Sequence, residues 1–88
     1  MSINSTLSQR QKTHGEFSDH ARIAQELKGC LIPVRGELPD THLEALDMIC
    51  HKIARILAGD PNEPDHWHDI AGYATLVEKE IKNGMVAD

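Results

Sequence analysis

The stretch Thr41-His42-Leu43-Glu44-Ala45-Leu46-Asp47-Met48-Ile49-Cys50-His51-Lys52-Ile53-Ala54-Arg55-Ile56-Leu57-Ala58-Gly59 decides the fold of this chain. Within it Leu43, Leu46, Ile49, Cys50, Ile53, Ile56 and Leu57 recur every three or four residues, which gives an α-helix a broad apolar face. Thr41 and Glu44 have capping-box spacing at its start, and Gly59 supplies a stop at its end. A helix so apolar on one side needs neighbours to cover it.

The neighbours lie on either side in sequence. Upstream, Phe17, Ala21, Ala24, Leu27 and Leu31, widened by Ile23, form a second stripe that Gly29 and Pro33 bring to an end. Thr13 with Glu16 has the spacing of a capping box for that helix, although Gly15 can instead make a turn there, with Ser18 starting the helix. Pro33 to Asp40 reads as a loop. Downstream, Asp60-Pro61-Asn62-Glu63-Pro64 is a rigid turn, with Asn62 and Asp65 positioned to cap a last helix lined by Trp67, Ile70, Ala71, Ala74, Val77 and Ile81 and stopped by Asn83-Gly84. Gly72 falls in mid-helix and is expected at a close helix approach. Residues 1–12 carry only isolated apolar positions and are expected to be an arm with at most a short helix; residues 85–88 are expected to be a flexible tail. No period-two alternation occurs, so the expectation is one all-α domain over residues 1–88, a small antiparallel bundle of three main helices.

An 88-residue chain buries only about 60% of its unfolded surface, so a domain of this size is marginally stable and commonly relies on disulfides, a metal or self-association. Cys30 and Cys50 stand inside apolar helical patterns and read as buried small hydrophobes in a reducing compartment, which leaves a homo-oligomer as the expected support. No signal peptide and no run of about 20 apolar residues is present, so a cytoplasmic protein without a membrane role is expected. A net charge of -5 argues against non-specific nucleic-acid binding, which requires Lys and Arg along a surface. Phe17, Trp67 and Tyr73 are the only aromatics, too few for a single-strand stacking platform.

Two sets of residues carry candidate chemistry. His51, Lys52 and Arg55 lie within about one turn of the central helix; lysine offers a point charge and arginine a planar fork, so together they can grip a phosphate. The alternative is a solvated face. Asp69 and Tyr73 share a face of the last helix and can present a carboxylate and a phenol to the same ligand, or Asp69 can pair with Lys52 or Arg55 as a structural link. His20 sits at the border of its stripe and joins the candidate ligand-binding set, with a satisfied boundary histidine as the alternative. The second set is acidic: Glu44, Asp47 and Asp69 are candidate ligands for magnesium, a hard cation that bridges phosphate oxygens.

The acidic spacing Glu44-x-x-Asp47 with Asp69 resembles the metal-binding pattern of all-helical MazG-type nucleotide pyrophosphohydrolases. It departs from that pattern where Asp47 replaces Glu, where His66 replaces a carboxylate and where Leu43 precedes Glu44. The stretches Lys12 to His20, Lys52 to Pro61 and Trp67 to Ala74 look like a family of small phage and prophage proteins of unassigned function, sometimes likened to the MazG type. That resemblance implies a viral origin, action in the host cytoplasm and a helical fold, and supplies no activity. The leading expectation is a non-catalytic binder of a nucleotide or related phosphorylated small molecule, needing no cofactor, for which the phage resemblance implies sequestration of a host immune signal. The alternatives are a magnesium-dependent nucleoside triphosphate pyrophosphohydrolase and a protein-binding inhibitor of a host enzyme.

Overall fold

The computed structural model describes residues 2–84, and the tail expected over residues 85–88 lies outside them. The described residues are all-helical: α1 (Ile3–His14), α2 (Phe17–Gly29), a short 3-10 helix (Ile32–Glu37), α3 (Asp40–Ala58) and α4 (Pro64–Lys82). No described helix is long and apolar enough to cross a membrane.

α3 is the centre of the structure, with both α2 and α4 packed along it. It is the most apolar and most one-sided of the helices, so two neighbours are needed to cover it. Its start, at Thr41 to Ala45, lies against Tyr73 to Asn83 at the end of α4. Its middle meets the early part of α4 through Lys52 and Asp69, so the two helices run in opposite directions. The fully covered apolar side chains are small, Ala24, Ala45, Cys50 and Ala54, which brings the helices close together. Many larger apolar side chains stay uncovered, among them Leu57, Trp67, Leu76 and Ile81. The molecule is correspondingly long, 48 × 25 × 23 Å. Its radius of gyration of 15.1 Å exceeds the value of about 12 Å for a compact chain of this length.

Several local readings change. The expected arm is instead a helix of 12 residues, capped where the Ser2 hydroxyl oxygen accepts from the Ser5 N–H at 3.1 Å. Thr13 lies inside the last turn of α1 and caps nothing; Gly15, at φ +81°, makes the turn, and α2 starts at Phe17 rather than Ser18. α3 starts at Asp40 without a side-chain cap, so Thr41 and Glu44 do not form the expected box. Most of the loop from Pro33 is a 3-10 turn. Phe17, expected in the core stripe of α2, is 79% exposed, and Cys30 is exposed while Cys50 is buried. Gly72 is not at a close approach, since nothing lies within 4 Å of where its Cβ would stand.

The close approach occurs instead between the two turns. A Cβ on Gly15 would fall 2.2 Å from the Ala58 carbonyl oxygen, and one on Gly59 would fall 2.3 Å from the Thr13 carbonyl oxygen. That Thr13 carbonyl accepts twice, from the Asp60 N–H at 3.0 Å and from the ring Nε2–H of His66 at 2.9 Å. His66 is almost fully buried, so its ring nitrogen needs this partner.

Candidate functional site

The end of α1 and the start of α2 meet α3 around a cleft of about 360 Å³, whose walls include Arg10, Gln11, His14, Glu16, Phe17, His20 and Arg55. Local sequence sets this arrangement. Gly15 turns the chain sharply enough to lay α1 beside α2, and Arg55 sits one turn before the Gly59 contact. The Glu16 carboxylate accepts from the side-chain amide of Gln11, which occupies the one acid in the lining. Among the described residues neither Arg10 nor Arg55 is within ion-pair distance of a carboxylate.

The histidines of the cleft respond to these cations. Burial, then Arg55 and to a lesser extent His66, Lys52 and Arg10, push His14 down from the ordinary 6.5 to about 4. Burial and Arg55 also lower His20, with Lys28 and Lys52 adding to the effect against a hydrogen bond to the His51 backbone. The His20 Nε2 is enclosed and has no hydrogen-bond partner. Behind it stands His51, its ring centre 5.6 Å from that of His20 and its Nε2 accepting from the Lys28 ammonium at 2.9 Å. Burial and Lys28 hold His51 below its usual range. At neutral pH the region therefore combines neutral imidazoles with fixed positive charge, an arrangement that attracts anions.

Of the residues expected to hold a ligand, only Arg55 and His20 line this cleft. Lys52 lies three residues before Arg55 but is not in the cleft wall: it is buried, and its Nζ pairs with Asp69 Oδ2 at 2.8 Å. That bond lowers Asp69 below the usual carboxylate range. Asp69 is thus paired with Lys52, one of the two partners its position allowed, and within one chain Arg55 and Asp69 line different depressions. Tyr73 lies on α4 between two separate depressions: a shallow groove with His68, Asp69 and Gly72, and an apolar hollow with Glu44, Leu76 and Val77.

The three candidate magnesium ligands are dispersed. Asp47 accepts from both ends of the Arg35 guanidinium, at 2.9 and 3.4 Å, Asp69 holds Lys52, and Glu44 borders the apolar hollow. Among the described residues no three His, Cys, Asp or Glu side chains are grouped as a metal site.

Arg10, His14 and Phe17 are cleft residues that the sequence reading passed over. Arg10 and His14 share a face of α1 at i and i+4, a signal visible only once that segment is taken as a helix.

No curated protein and no solved structure matches the chain. A family described as a domain of unknown function, DUF6378, matches residues 3–81, and the chain belongs to that family.

Proposed function

We propose that the chain binds a nucleotide, or a related phosphorylated small molecule, with its phosphate between Arg10 and Arg55 in the cleft of α1, α2 and α3. The observation that carries this reading is that two arginines without ion-pair partners among the described residues line one cleft of a chain with net charge -5. Guanidinium groups suit phosphate because they offer paired donors in a plane. A volume of about 360 Å³ falls in the range of small-molecule sites. Phe17, exposed at the rim, offers a face on which a base can stack.

Sequestration rather than turnover is the reading because the lining offers donors and only one acid, already engaged by Gln11. Holding a phosphorylated host signal fits the resemblance to small phage proteins. Self-association belongs to the same proposal, supported by the uncovered Leu57, Trp67, Leu76 and Ile81.

Calorimetry of the purified chain against AMP, ATP and cyclic AMP without metal tests the proposal. At least one nucleotide should bind. Arg10→Gln and Arg55→Gln should each weaken that binding about tenfold, the loss of one charge-assisted hydrogen bond. Absence of binding at high micromolar concentration, or affinity untouched by both substitutions, would overturn it. Pyrophosphate release from the same nucleotides on adding magnesium would replace it with the hydrolase reading.

A further inference from the structure

The cleft brings together two arginines and neutral imidazoles with a single carboxylate, Glu16, against them. His14 and His20 both line it, on different helices and with Arg55 as a common wall. Around them stand Arg10 from α1, Glu16 at the start of α2, Lys28 from α2, His51, Lys52 and Arg55 from α3, and His66 from α4. Glu16 is held by Gln11, Lys52 by Asp69, and Lys28 donates to His51. The His51 backbone is the one acceptor in that set that His20 meets, and its Nε2 is enclosed without a partner. An anion lodged between Arg10 and Arg55 would supply the missing negative charge.

We infer that the cleft takes up a proton on the pair His14 and His20 when its phosphoryl ligand enters, so that binding tightens as the solution becomes more acidic. The inference rests on the phosphate site proposed above and adds its regulation. Its physical basis is reciprocal linkage: if an anion favours the protonated imidazole, the protonated imidazole favours the anion by the same factor. Within the protein alone, burial and Arg55 keep both rings neutral. A bound dianion reverses the sign of the nearest charge. The exposed His68, on α4 in the separate shallow groove, lies outside this linkage.

Sulfate is the probe of choice, because it mimics a phosphoryl group and, unlike a phosphate monoester, keeps its charge across the working pH range. Histidine ring titrations of the full chain are followed by NMR in sulfate and in chloride of equal ionic strength. The midpoints of His14 and His20 should rise in sulfate while that of His68 stays in place, and sulfate should bind about tenfold more tightly at pH 5 than at pH 8. Arg55→Gln should abolish the difference between the two salts. Shifts of the Arg10 and Arg55 signals with no movement of either histidine midpoint would leave the anion site standing and overturn the proton linkage. No response of either kind would remove both. A histidine response that survives Arg10→Gln and Arg55→Gln together would also overturn the inference, since the anion would then be sitting elsewhere.

Discussion

The ring Nε2 of His66 lies 2.9 Å from the carbonyl oxygen of Thr13, joining residues 53 apart in the chain. The same oxygen takes the Asp60 N–H, and beside it Gly15 and Gly59 bring two stretches of backbone into direct contact. Both positions exclude a side chain, and Gly15 also needs a positive φ that other residues adopt at a cost. Gly15→Ala should therefore destabilise the fold by about 3 kcal/mol, combining left-handed strain with overpacking. A fall in Tm of at least about 10 °C in circular dichroism melts would follow for a domain of this size. A Tm within a degree of the parent would show that the turns do not meet as described.

Gly72 predicts the opposite sign. Its Cβ position is open in the middle of α4, so Gly72→Ala should stabilise by about 0.5 to 1 kcal/mol through helix propensity and raise Tm by about 4 °C. A drop in Tm on this substitution would reveal a close neighbour at that face, such as a second copy of the chain.

Lys52 is buried with Asp69 as its partner at 2.8 Å. Breaking such a pair from one side leaves a charge that is difficult to keep out of water. Asp69→Asn should lower Tm by several degrees, and adding Lys52→Met should recover most of that loss. If the double variant melts no higher than Asp69→Asn alone, the pair is not what Asp69 contributes.

Acid should destabilise this protein over a defined range. His14 takes its proton near 6.5 when unfolded and only near about 4 when folded, so between those values the unfolded chain holds more protons. Stability must then fall as pH drops through that window, and the lowered His20 and His51 act in the same direction. Asp69 adds its own loss lower still, because its stabilisation disappears as pH falls through its depressed value. Denaturant midpoints measured from pH 8 to pH 4 should be level at the alkaline end and decline below 6.5, with a shallower decline for His14→Gln. A midpoint that rises toward pH 4 would contradict this assignment.

The helices on either side of Leu43 to Leu57 were legible because their apolar residues repeat at the helical period, and the stops at Gly29, Gly59 and Asn83 matched local backbone chemistry. α1 was harder to read for a physical reason. It is polar all round and has no buried residues, and it is tied to the body through a main-chain carbonyl that no residue pattern records. Missing α1 meant missing Arg10 and His14, and with them half of the cleft. Lys52 and Arg55 show the complementary limit: spacing makes them neighbours, but it does not say that Lys52 is taken up by Asp69 of α4 while Arg55 lines the cleft with α1 and α2. Phe17 fitted the α2 stripe by period, yet it stands at the end of the helix where nothing packs over it.

The carboxyl end of α1 is tied to Asp60 and His66 at the oxygen of Thr13, while its opening turns leave Ile3 and Leu7 exposed. Because that single oxygen serves both the Asp60 N–H and the His66 ring, losing it would strand two donors at once, one of them on a ring that water barely reaches.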